Sequence, residues 1–208
     1  MYKKILLTFR EINHRCEEEQ WDLRDFSWKL HYGERIQLHC HRPEQYDVLW
    51  RLLERNLKPK QGVIEELRPV TWSSNYTINS RLNMDDTMND ALQSKLFEER
   101  LWVAGKRTHV QNLMDRLQIN LFERRQPLQT ISSVSLQRFQ ALLFMAARVQ
   151  LLLGKQLFHS MDETTSAVFQ EWNQNFCGTL VISGSSPNSL IDFDTVITIN
   201  KDGTVLFT

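Results

Sequence analysis

Residues 33–62 read as strand, loop, helix and turn, the order that builds a phosphate-binding loop, and no other stretch constrains the fold as tightly. Gly33-Glu34-Arg35-Ile36-Gln37-Leu38 forms the lead-in, and His39-Cys40-His41-Arg42-Pro43-Glu44-Gln45-Tyr46-Asp47 the loop. Val48-Leu49-Trp50-Arg51-Leu52-Leu53 follows, and Leu57-Lys58-Pro59-Lys60-Gln61-Gly62 closes the stretch. A loop that wraps phosphate needs small residues so that backbone N–H groups converge, a Lys to reach the outer phosphates, and a Ser or Thr for Mg²⁺. None of these residue types lies between His39 and Asp47. The scaffold is kept and its chemistry is gone.

At 208 residues the chain is expected to be one domain, over 1–208, with a real core. Its 25 basic and 25 acidic side chains balance, so no global field draws it to nucleic acid or acidic lipid. Three cysteines at irregular spacing make no disulfide framework, which points to a reducing cytoplasm. Met1 to Leu7 runs at once into polar sequence, so no signal peptide is expected. The longest apolar stretch, Phe139 to Leu153, is broken by Gln140, Arg148 and Gln150 and falls short of the ~20 residues that span a bilayer. Membrane association is therefore expected only through a partner. Glycine is scarce, seven in the chain, against a usual share of about 7%, and no glycine-rich loop exists.

The first third reads as β: an apolar run from Lys4 to Phe9, then period-two alternation at Phe26, Trp28 and Leu30 and at Ile36, Leu38 and Cys40. A helix is expected over 44–56, its apolar face built from Leu49, Trp50, Leu52 and Leu53. The middle is helical. Met88, Leu92 and Leu96 follow Asp85 and Asp86 as capping residues, and Val110, Leu113, Met114 and Leu117 make a second stripe. A third helix is expected over 134–153. The last third returns to alternation, with a strand over 156–161 ending in Asp162-Glu163, a helix over 166–176, a strand over 179–183, and a hairpin from Thr195 to Phe207 turning at Lys201-Asp202-Gly203.

This order resembles the nucleotide-binding domain of ABC transporters over nearly the whole chain. Gly33-Glu34-Arg35 matches that family's lead-in, and the spacing to Leu57-Lys58-Pro59 and Gly62 needs no gap. Asp162-Glu163-Thr164-Thr165-Ser166-Ala167 resembles the Walker B Asp-Glu and the Thr-Ser-Ala after it. Leu180-Val181-Ile182-Ser183, Asp194 and Asp202-Gly203 fall at the switch strand, a following Asp and the closing hairpin. The resemblance implies an α/β fold of the P-loop NTPase type: a mixed core sheet, an antiparallel β portion at the N-terminus and a helical subdomain over about 73–152.

Carried over position by position, the resemblance puts Cys40 and Gln45 on P-loop glycines, Tyr46 on the lysine and Asp47 on the Mg²⁺-binding hydroxyl. Gly184 takes the place of the switch histidine and Phe169 that of the D-loop aspartate, and no Gln lies near Trp72-Ser73. The signature motif fits Leu136-Gln137-Arg138-Phe139-Gln140 by counting and Ile131-Ser132-Ser133-Val134-Ser135 by residue type, and neither has its two glycines. Asp162 and Glu163 alone suit a solvated strand end; with Thr-Ser-Ala behind them they read as a Walker B relic that is inactive without bound phosphate. His39 and His41 could share a face, but Cys40 points away and no third ligand is apparent, so neither metal nor cofactor is expected. Trp72 and Tyr76 suit a docking surface for a transmembrane partner and equally suit core packing.

The expected function is a non-catalytic ABC subunit, dimerising with itself or an ATPase homologue and joined to a transmembrane transporter subunit. That places it in the cytoplasm, peripheral to the inner or plasma membrane through its partner. A soluble pseudo-ATPase scaffold or regulator with no transporter partner is the alternative.

Overall fold

In the computed structural model, residues 4–15, 22–98, 104–157, 161–184 and 191–208 are described. In chain order the elements are β1 (Ile5–His14), β2 (Leu23–His31), β3 (Arg35–Cys40), α1 (Pro43–Leu53), β4 (Gln61–Glu65) and β5 (Trp72–Ser74). There follow α2 (Asn75–Ser80), α3 (Met88–Glu98), α4 (Ala104–Arg116), α5 (Ser133–Ala146), β6 (Leu151–Lys155), α6 (Glu163–Asn175), β7 (Thr179–Ser183), β8 (Thr195–Ile199) and β9 (Val205–Phe207). They form two compact units, one of residues 1–72, 149–156 and 177–208, the other of 73–148 and 157–176.

The first unit holds two sheets. The smaller is antiparallel, ordered β2-β1-β4, and the larger runs β5-β6-β7-β3-β8-β9, with Trp72 the last residue of this unit at its β5 edge. β3 lies between β7 and β8 and is parallel to both, β6 is parallel to β7, and the β8–β9 pair is antiparallel. Central parallel strands are covered on both faces and so read as continuous apolar runs. Leu151-Leu152-Leu153 and Leu180-Val181-Ile182 are such runs, fully buried. In α1 the spacing of Val48, Leu49, Leu52 and Leu53 buries one face against the core. Pro43 suits its first position, where an N–H would find no intrahelical acceptor. The helix stops at Glu54, after which Arg55 takes φ 58° and the Asn56 N–H returns to the Arg51 carbonyl at 2.8 Å.

Gly62 is where the antiparallel sheet requires glycine. Its φ is +87°, and a Cβ there would lie 2.4 Å from the carbonyl oxygens of Arg10 and Glu11, at the register shift between β1 and β4.

The second unit is helical and centres on aromatic packing. Phe169 of α6 is fully buried, its ring 5.2 Å from Trp172 and 6.5 Å from Phe144 of α5, and Trp172 stacks on Phe176 at 4.7 Å. Among the described residues no helix is long and apolar enough to cross a membrane.

Three expectations from sequence are corrected. The helix expected over 134–153 ends at Ala146; Ala147 is extended, and Leu151–Lys155 is strand β6. A short, wholly apolar run has no period by which to tell strand from helix. The strand expected over 156–161 is absent where described: Gln156 turns out of β6 with φ 49°, and 158–160 lie outside the described residues. The helix expected over 166–176 begins earlier, at Glu163, because Asp162 caps it.

Candidate functional site

β3 ends at Cys40 and α1 begins at Pro43, so only His41 and Arg42 connect strand to helix. The backbone N–H groups of His41, Arg42 and Gln45, which a phosphate could use there, are already committed, and Pro43 has none. The His41 N–H donates to the Ile199 carbonyl at 3.0 Å, and the Arg42 N–H to Gln45 Oε1 at 3.0 Å. Pro43 has no N–H, and the Gln45 N–H returns to the Arg42 carbonyl at 3.2 Å. The Gln45 side chain is fully buried and its Nε2 donates to the Asn200 carbonyl at 2.6 Å, which ties the first turn of α1 to the end of β8.

Tyr46 is half-buried against the core, its hydroxyl bonded to the Cys40 backbone. Burial pushes that hydroxyl's pKa up and keeps it neutral. Asp47 pairs with Lys155, the last residue of β6. This pair is largely solvated and adds little to stability. It does engage Lys155, a cation at the end of β6, with a carboxylate, and Glu44 adds a further negative charge to the same helix turn.

The Cys40 thiol is pushed up to about 12 by burial. The thiolate is the reactive form, and an ordinary thiol ionises near 8.5. At pH 8, Cys40 is expected to alkylate with iodoacetamide on the order of a thousandfold more slowly in the native protein than after denaturation. Peptide mass spectrometry over time measures the ratio; a native rate within tenfold would show that the thiol is open.

Asp162 and Glu163 are not at a strand end. The strand ahead of them stops at Lys155, seven positions before Asp162. Asp162 is the N-cap of α6: its Oδ1 accepts from the Thr165 N–H at 2.8 Å, and its Oδ2 from Arg138 Nε and a terminal guanidinium nitrogen at 2.9 and 2.6 Å. Burial works to raise its pKa, but these bonds from Thr165 and Arg138 outweigh it and hold the carboxyl below the usual value. Glu163 is the exposed first residue of the helix, where a carboxylate favours the positive end of the helix dipole. Asp162→Ala should therefore cost about 1–2 kcal/mol, as for the loss of a helix cap, and Glu163→Gln less than about 0.5 kcal/mol. Urea denaturation of the two variants checks the order. Equal losses would deny the capping role.

The other carried-over positions fall as follows. Phe169 is in mid-helix in the buried aromatic cluster, away from any loop. Gly184 follows β7 with φ +101°, which L side chains rarely adopt, so the place expected for a histidine does not suit one. Its carbonyl accepts from Gln37 Nε2 at 3.3 Å. Trp72 is half-buried and packs against the first unit's core. Tyr76 lies in α2, and its side chain is outside the described residues. Among the described residues no three potential metal ligands converge.

The start of α5 separates the two signature placements: 131–135 spans the helix entry, and 136–140 lies within the helix. Ser132 is the N-cap, accepting from the Ser135 N–H at 3.1 Å. The Glu123 carboxylate accepts from the Ser135 hydroxyl at 2.6 Å and from the Ser132 N–H at 3.4 Å. Sequence reasoning gave Glu123 no role, because its partners become neighbours only through the turn between α4 and α5. This helix start already holds an anion, one supplied by the chain.

No protein-family profile matches the chain, and no curated protein matches it. Solved structures do. A chain of a metal-chelate type ABC transporter in an inward-facing conformation superposes with a TM-score of 0.72 at 14% identity, over 99% of this chain and 83% of that one. A bacterial Atm1-family ABC exporter with ATP bound superposes with a TM-score of 0.73 at 14% identity, over 99% of this chain and 39% of the exporter. Identity this low speaks for the fold alone: the chain has an ABC-like α/β fold.

Proposed function

We propose that the protein is a non-catalytic, pseudo-ATPase subunit of ABC type that pairs with an ATPase homologue or a second copy and with a transmembrane transporter subunit. The observation that carries this reading is the committed state of the β3–α1 connection, where His41, Arg42 and Gln45 spend their N–H groups inside the protein and Pro43 has none. A nucleotide's phosphates need several convergent N–H groups and a free cation. Here they would meet Glu44 and Asp47, and the Lys155 ammonium is already paired. Glu123 at the start of α5 supports the same conclusion from a second position. The transporter context rests on likeness of fold to ABC transporter chains.

Such a subunit contributes shape and contacts, leaving hydrolysis to a partner. Detergent extraction and affinity purification of the tagged protein from its native membranes tests the pairing. The expected result is co-purification of an integral membrane protein in fixed ratio. Recovery only with soluble proteins would favour the scaffold or regulator that acts without a transporter.

A further inference from the structure

His14 ends β1, the central strand of the antiparallel sheet, and is 5% exposed, with no hydrogen-bond partner for its ring Nδ1. The Asp22 N–H donates to the His14 carbonyl at 2.9 Å, closing the base of the β1–β2 hairpin. Asp22 is 2% exposed, and its carboxylate reaches a terminal guanidinium nitrogen of Arg42 at 3.4 Å. Among the described residues, the charged groups facing the imidazole are Asp22 ahead of β2, Arg51 of α1 and Lys60 ahead of β4, with Arg42 on Asp22. One buried carboxylate and two cations thus act on the imidazole, and Arg42 already holds that carboxylate, so a protonated His14 would be a second cation for it.

We propose that His14 is an acid-sensitive latch on the β3–α1 connection. Neutral, it leaves the Asp22 carboxylate to Arg42. Protonated, it competes for that carboxylate against Arg42, and the tie between the hairpin base and the N-cap of α1 loosens. Arg42 is that N-cap, and its N–H is held by Gln45, so its release frays the first turn of the helix.

Burial first, then Lys60 and Arg51, push the His14 pKa below its ordinary 6.5, and Asp22 pulls the other way. A folded-state pKa below the unfolded value means that the unfolded chain binds the proton more readily. The contribution to stability is full above pH 6.5 and is lost as the pH falls below it.

Amide hydrogen exchange over 42–48 at pH 7.5 and 5.0, corrected for intrinsic rates, tests the latch. In the wild type, protection should fall severalfold at the lower pH, and in His14→Gln it should not change. Unchanged wild-type protection, or the same fall in His14→Gln, overturns the proposal. An NMR titration of the wild-type His14 ring keeps it falsifiable if the variant does not fold: the midpoint should lie below 6.5, and one at or above that value overturns the proposal.

Discussion

Phe169→Ala should lower the stability of the helical unit by about 3–5 kcal/mol, the range for deleting a fully buried phenylalanine. The ring is wholly buried in α6 between Phe144 and Trp172, with centroid separations of 6.5 and 5.2 Å. Truncation removes transfer free energy and leaves a cavity that α5 and α6 cannot fully close. Tertiary aromatic packing also adds about 0.5–1.5 kcal/mol beyond burial. Trp172 reports the change by fluorescence during urea denaturation. A loss under about 1 kcal/mol, the scale of an ordinary surface change, would mean that the cluster does not hold this unit. The outcome bears on function as well: the resemblance puts a D-loop aspartate at this position, and here it is a core position with no room for one.

Gln45→Ala should cost about 1–3 kcal/mol, since it leaves the part-buried Arg42 N–H without a partner and removes one of two bonds to the Asn200 carbonyl, which keeps the Gly203 N–H at 3.0 Å. Both bonds come from a single fully buried amide, to partners 3 and 155 positions away in the chain. Denaturation midpoints measure the loss, and exchange of the Arg42 amide locates it. Gln45→Gly, which supplies the glycine of a phosphate loop, should be no more stable. It should also gain no phosphate affinity, because Pro43 still lacks an N–H and Glu44 and Asp47 remain. A neutral Gln45→Ala would mean that the first turn of α1 is not pinned by this side chain.

Where side-chain period or local chemistry decided the structure, the sequence could be read. Ile36 and Leu38 alternate, Leu49, Leu52 and Leu53 mark one helical face, and Thr195 to Phe207 encloses a turn at Asp202-Gly203; these became β3, α1 and the β8–β9 hairpin. Leu151-Leu152-Leu153 was misread as helix because a strand covered on both faces leaves no alternation to see. That error moved the expected strand end onto Asp162 and Glu163, although Asp162 with Thr165 three residues later is equally a helix-cap pattern.

The closing of the β3–α1 connection was legible only in part. The missing lysine and glycines could be counted. The partners that fill the space could not, since Gln45 meets Asn200 and Asp47 meets Lys155 only after the parallel sheet brings four strand ends together. The same holds for His14, whose burial beside Asp22, Arg51 and Lys60 depends on the pairing of three strands. Residue type in sequence reported what chemistry was absent, and tertiary contacts reported what took its place.

The central claim is that the chain's own groups occupy the position where nucleotide phosphates would be held. Isothermal titration of the purified protein with ATP and Mg²⁺ tests it most directly. The account predicts no binding heat at micromolar to submillimolar nucleotide, with or without Mg²⁺. A saturable, Mg²⁺-dependent isotherm with micromolar Kd would contradict it.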